Sequence, residues 1–347
     1  MTTLEPPRRR RLRFPIPISI LVFLALTFAG AYYVRRGMLE RAMVNAMEMS
    51  DTGMMRSLAE SWPAPVNVVK QGAGTDAHDE LANGTTPLHV AVMEGDLALA
   101  QLLIDRGARV DAADEANGTA LHIAAGNGRA DIVRLLVRTG ADVNARGRED
   151  ETPLHVVAYC ADAEAARVLV EAGADVKAAT MSGATPLHYA ARPGGYEVTH
   201  LLVRAGADVN ARDADGRTPL HWAALIEDGA IAQLLVRSGA RTEARNKSGE
   251  TALHAAARQY EAFALKALLS RGAEVNARDK TGQTPLFDAV TMSNPAAVKA
   301  LLDSGADVNA ADDDGMTPLA YARKSSGGAD DSRREVIDLL LKAGARE

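Results

Sequence analysis

A threonine followed by proline or alanine and then leucine recurs at one constant interval, at Thr86, Thr119, Thr152, Thr185, Thr218, Thr251, Thr284 and Thr317. Glycines followed by alanine hold the same spacing at Gly107, Gly140, Gly173, Gly206, Gly239, Gly272 and Gly305. A period of this size describes a stack of short units, each too small to bury its own apolar face and each completed by its neighbours. Such an architecture directs attention to the surface and to binding before catalysis.

One period shows why the unit folds. In Thr218-Pro219-Leu220-His221 the threonine is suited to cap a helix, and proline at the first helical position loses no hydrogen bond. A short apolar helix is expected over Leu220–Ile226, followed by a second that carries Ile231, Leu234, Leu235 and Val236. Gly239 supplies the left-handed residue that ends it. An extended segment, Arg241–Ser248, then leads through Gly249 to the next threonine.

These units resemble the ankyrin repeat family. The resemblance is carried by Thr-Pro-Leu-His-x-Ala at Thr86–Ala91, Thr185–Ala190 and Thr218–Ala223, and by Gly-Ala-Asp-Val-Asn-Ala at Gly140–Ala145, Gly206–Ala211 and Gly305–Ala310. It covers residues 81–347 and implies an all-α ankyrin repeat solenoid of eight repeats: paired antiparallel helices, β-hairpin fingers between them, and a curved stack. Two regions depart from the pattern. The last repeat is longer, running from Thr317 to Gly344 where its predecessor runs from Thr284 to Gly305. This places an inserted loop near residues 325–332 and a capping helix at Val336–Ala343. Upstream, residues 35–80 read as a juxtamembrane region. It holds a degenerate capping repeat over Met43–Asn67, with its break at Ser50-Asp51, and then a linker.

The N-terminus carries the second signal. Arg8, Arg9, Arg10, Arg11 and Arg13 precede an uncharged run from Phe14 to Val34, which is long enough to cross a bilayer as a helix. Residues 1–15 are then a basic cytoplasmic terminus and residues 16–34 a transmembrane signal anchor. The same features fit a cleavable signal peptide cut near Ala31. In either case the larger positive charge stays in the cytoplasm and the repeats are exported. The Ala/Arg/Gly-rich composition suggests a bacterial source, an inner-membrane location and repeats that face the periplasm.

Charge and chemistry narrow the rest. The chain carries −6 overall while residues 1–41 carry +6, so residues 42–347 carry −12 and are poor ligands for nucleic acid. Cys160 is the sole cysteine and no intrachain disulfide is possible; it is expected to be a partly buried, inert thiol. His89, His122, His155, His188, His221 and His254 resemble a metal array, but stacked helices lie about 8–10 Å apart and zinc ligands about 2 Å from the ion. Hydrogen bonding between the Thr-x-x-His side chains and the adjoining finger is the expected role. Asp213 and Asp312 read as turn residues. Nothing points to a catalytic residue, a cofactor, a metal or a small-molecule substrate.

What remains is a protein partner. The family resemblance places partner contacts on the fingertips and on the inner helix, the concave side. Counted from each threonine, the seventh and eighth residues lie free on that helix, and the fourth lies one turn before them. Repeats three to five are thereby expected to present Tyr159, Tyr189, Trp222, Leu225 and Ile226 together, a composition rich in binding hot-spot residues. For Trp222 the alternative is simple packing between repeats. Arg258 holds the seventh position of repeat six. Arg212, Arg245 and Arg278, with Arg146, recur at the finger bases as a candidate cationic stripe for an acidic segment. In repeat seven, Phe287 stands in the histidine position and Asp288 in an apolar slot, which marks the seven–eight junction as the expected weak point. The leading reading is a non-catalytic scaffold tethered to the membrane. A scaffold that faces the cytoplasm and an accessory or immunity-type subunit that covers a partner enzyme remain the alternatives.

Overall fold

A computed structural model describes Tyr33 and residues 35–61, 64, 66–70, 84–116, 118–226, 229–324 and 331–346. The expected membrane span at 16–34 lies outside the described residues, apart from Tyr33. Among the described residues no helix is long and apolar enough to cross a membrane.

The helices come in pairs. The first pair is α1, residues 35–48, and α2, Thr52–Glu60. Among the described residues eight further pairs follow: α3 Pro87–Met93 and α4 Leu97–Asp105, α5 Ala120–Gly126 and α6 Ala130–Arg138, α7 Pro153–Cys160 and α8 Ala163–Glu171, α9 Pro186–Ala190 and α10 Tyr196–Arg204. The series continues with α11 Pro219–Ala223 and α12 Ala230–Arg237, α13 Ala252–Ala257 and α14 Phe263–Leu269, α15 Pro285–Thr291 and α16 Pro295–Asp303, α17 Pro318–Lys324 and α18 Asp331–Lys342. First helices pack on first helices and second on second, so one apolar core runs the length of the stack.

The ends of each unit follow the expected chemistry. Thr218 takes extended backbone at the N-cap of α11, with Pro219 in the first turn. Gly239 closes α12 at φ 93°, where the Ala240 amide donates to Leu235 O at 3.0 Å and the Gly239 amide to Val236 O at 3.1 Å. The first helix is shorter than expected. α11 stops at Ala223, and Ala224–Ile226 form a tight turn in which the Ile226 amide donates to Ala223 O at 3.2 Å.

Fingers differ from the expected β-hairpins. Among the described residues there is no strand, only an isolated bridge between Ala113 and Thr119. The reason lies in the turn chemistry. Asp213 Oδ1 accepts from the amides of Asp215 (3.0 Å) and Arg217 (2.8 Å), which curls the tip. Successive tips then share single backbone bonds, such as Ala214 N to Ser182 O at 2.7 Å and Lys247 N to Asp215 O at 2.8 Å. One bond per neighbour does not make a ladder.

α1 and α2 pack ahead of the first repeat. Met43, Ala46, Met47, Met55 and Ala59 are buried, and Asp51 caps α2. Asn67 donates to Gly107 O at 2.9 Å and accepts from the Arg109 amide at 2.8 Å. Asn210 makes the same pair of bonds with Gly239 and Arg241. At the other end α18 begins at Asp331, earlier than expected, and buries Val336 and Leu340; residues 325–330 lie outside the described residues.

Candidate interaction surface

Histidine at the third position after each threonine ties the repeats together. The Thr218 amide donates to His221 Nδ1 at 3.1 Å, so the ring proton sits on Nε2 and is donated to Glu250 O of the next finger at 3.1 Å. His122, His155, His188 and His254 repeat this link to Glu151, Ala184, Arg217 and Gln283. Burial holds every one of these imidazoles below the ordinary value, His155 at about 4. The series is incomplete at its ends. His89 Nε2 has no partner among the described residues, and neither does Thr284 Oγ1, since Phe287 replaces its histidine.

The aromatic residues of repeats three to five do come together. The rings of Tyr159 and Tyr189 lie 6.4 Å apart and those of Tyr189 and Trp222 5.9 Å apart, which makes a three-ring ladder across the first helices. Each of the inner rings is pinned by its polar atom. Tyr189 donates to Glu151 Oε1 at 2.8 Å, and Trp222 Nε1 donates to Asp213 Oδ2 at 3.1 Å. Burial, then Glu151, raises the Tyr189 phenol far above its ordinary value. Arg192 lies 4.4 Å over Tyr159, and Arg217 lies 5.7 Å from Trp222. Tyr159 is exposed; Tyr189 and Trp222 are half-buried against the core, so the packing role weighed for Trp222 is part of the arrangement.

Two expectations need correction, those for Ile226 and Cys160, and the basic residues of the fingers gain a second role. Leu225 is 48% exposed, but Ile226 is only 8% exposed and belongs to the core. The early end of α11 explains this, because the turn that presents Leu225 points Ile226 inward. The arginines of the cationic stripe, Arg146, Arg212, Arg245 and Arg278, are exposed, and each also makes a backbone bond. Arg146 donates to Ala179 O at 2.7 Å, Arg212 to Arg245 O, Arg245 to Arg278 O, and Arg278 to Ala311 O at 2.8 Å. Each guanidinium thus staples its finger to the backbone of the finger that follows. Lastly, Cys160 is an exposed residue whose sulfur turns back to Gly126 O at 3.5 Å; desolvation of the thiol, then Asp162, pushes its pKa up.

Arg258 and Asp288 explain one another. Arg258 Nη1 lies 2.7 Å from Glu250 Oε1 and 2.9 Å from Asp288 Oδ1. Burial lifts Asp288 to about 6 in spite of the guanidinium. Burial also pulls on Glu250, but hydrogen bonds from Arg258 and Asn246 outweigh it and hold that carboxyl below its ordinary range. Asp288, out of place in an apolar slot by sequence, therefore faces back to repeat six.

Two exposed aromatics of the repeats were not among the sequence candidates. Tyr260 is 81% exposed and Phe263 59%, both at the turn between α13 and α14. The register held a signal, since Tyr260 takes the place of Gly95, Gly128 and Gly194 in other repeats.

Among the described residues no group of His, Cys, Asp or Glu is placed to hold a metal ion. A family model described as ankyrin repeats (3 copies) matches residues 61–147, 145–213, 198–279, 220–312 and 263–346. A search of curated proteins finds no match to the chain. Ankyrin repeats imply a protein–protein interaction scaffold, and such proteins are generally non-catalytic. Periodicity, paired helices, histidine links and the matched residues agree that the chain belongs to the ankyrin repeat family.

Proposed function

We propose that this chain is a non-catalytic scaffold, tethered to the inner membrane through residues 16–34, that holds a protein partner in the periplasm on the inner-helix face of repeats three to six. One observation carries the binding half of this reading: the ladder Tyr159–Tyr189–Trp222 ends beside an exposed Leu225. An apolar and aromatic surface of this kind is costly in water unless something covers it. The tether rests on the uncharged run Phe14–Val34 and on the five arginines before it.

The binding half is tested by Leu225→Ser together with Tyr159→Ala, two exposed positions. The account expects loss of partner crosslinking in intact membranes with an unchanged unfolding midpoint. Retained crosslinking in a folded double variant overturns it.

A further inference from the structure

The aromatic ladder stops at Ala255. Tyr189 and Trp222 are the fourth residues after the threonines of repeats four and five, and Ala255 holds that position in repeat six. In repeats four and five the ring is met edge-on by the histidine of the preceding repeat, His155 with Tyr189 at 5.5 Å and His188 with Trp222 at 5.6 Å. His221 is next in the series. Among the described residues it has no ring beside it; a cavity of about 260 Å³ stands there, lined by His221, Ala255, Leu225, Glu250, Asn246 and Arg258 among others.

We propose that this cavity takes an aromatic side chain, tyrosine or tryptophan, from the protein partner, which completes the ladder in trans. The inference rests on the reading of this face as the partner site. Its argument comes from the histidine series, in which His221 follows His155 and His188, and from the kinds of group the cavity gathers. Both inner rings have an edge-on histidine and a carboxylate for the polar atom, Glu151 for Tyr189 and Asp213 for Trp222. Trp222 has an arginine nearby as well. The cavity offers His221, Glu250 and Arg258, the same three kinds of group; Glu250 accepts from Arg258 at 2.7 Å and from Asn246 at 2.7 Å, which fixes its carboxylate at the cavity wall with lone pairs left for an entering donor. Leu225 and the Ala255 methyl supply apolar contact. Other side chains fit less well. A cation meets the guanidinium groups of Arg217 and Arg258, and an anion meets Glu250 with Asp288 behind it. An aliphatic chain leaves the histidine edge and the carboxylate unused.

The test uses the full chain in detergent and three small probes: N-acetyltryptophanamide, N-acetylleucinamide and N-acetylargininamide. Binding is followed by saturation-transfer NMR and by the chemical shift of the His221 ring. The tryptophan probe is expected to bind weakly, with Kd on the order of millimolar, and to displace the His221 signal through its ring current. The other two probes leave that signal in place. Ala255→Trp, which supplies the ring in cis, is expected to weaken the tryptophan probe at least about tenfold while the helical circular dichroism is kept. If the variant does not fold, the His221 shift in the unaltered chain still decides. An unmoved His221 signal, or equal response to the leucine or arginine probe, overturns the proposal. Because no partner is present, this result is independent of whether the scaffold reading holds.

Discussion

Arg258 and Asp288 stand 30 residues apart in sequence and 2.9 Å apart in space, across the junction of repeats six and seven. The guanidinium serves two carboxylates with one nitrogen, and the Asp288 side chain is the more buried of the pair. Removing the two partners therefore has unequal consequences. Arg258→Ala leaves a largely buried carboxylate without its cation and is expected to cost about 1–3 kcal/mol. Asp288→Ala removes an apolar-slot anion and leaves Arg258 its bond to Glu250, so it is expected to cost less. Urea unfolding of both variants checks this; equal losses would contradict it.

Acid should loosen the stack. The histidines at 89, 122, 155, 188, 221 and 254 are all held below the ordinary imidazole value, by burial first. A folded-state value below the unfolded one means the stabilisation is present above about pH 6.5. It is lost as pH falls through the folded values, about 4 for His155. Asp288 works in the opposite sense. Its carboxyl is raised from 3.8 to about 6, so its contribution is present at low pH and lost as pH rises through that window. Six depressed histidines act against one raised carboxylate. Unfolding midpoints are expected to drop between pH 7 and pH 5, and a flat or rising profile would refute the account.

The two ends of the array should open first. Between repeats seven and eight, Phe287 offers no ring N–H to the following finger, and Thr284 Oγ1 is left without a partner among the described residues. At the other end His89 Nε2 has no partner among the described residues. Repeats three to six keep every histidine link. Hydrogen exchange is expected to protect the amides of α7–α13 longest and to release α17 and α18 early. Uniform protection would show that these links do not set the local stability.

Much of this was legible before any coordinates. The constant interval placed the helix pairs, the threonine caps, the glycine ends and the histidine role, because each depends on chemistry within one unit. The failures share a cause, which is dependence on a neighbour. Ile226 turned inward because α11 ended early, a matter of how the turn meets the next repeat. The bonds that the exposed arginines at 212, 245 and 278 make to carbonyls of the following finger were missed for the same reason. Asp288 met Arg258 across a junction, and no local pattern announces such a pair.

Topology is checked separately from binding. With Arg8–Arg11 and Arg13 before the uncharged run and only Arg35, Arg36 and Arg41 close behind it, a C-terminal alkaline phosphatase fusion is expected to be active and a green fluorescent fusion dark. The reverse pattern would place the repeats in the cytoplasm. A mature N-terminus near Tyr32 would replace the anchor with a cleaved signal.

Site-specific photocrosslinking in intact membranes tests the central claim most directly. A photoreactive residue at Leu225, exposed at the end of the ladder, is compared with one at Arg134, exposed on the second helix α6. The account predicts a discrete protein adduct from position 225 that is lost when Tyr159→Ala is added, and none from position 134. Adducts of equal yield from both positions, or none from 225, would contradict it.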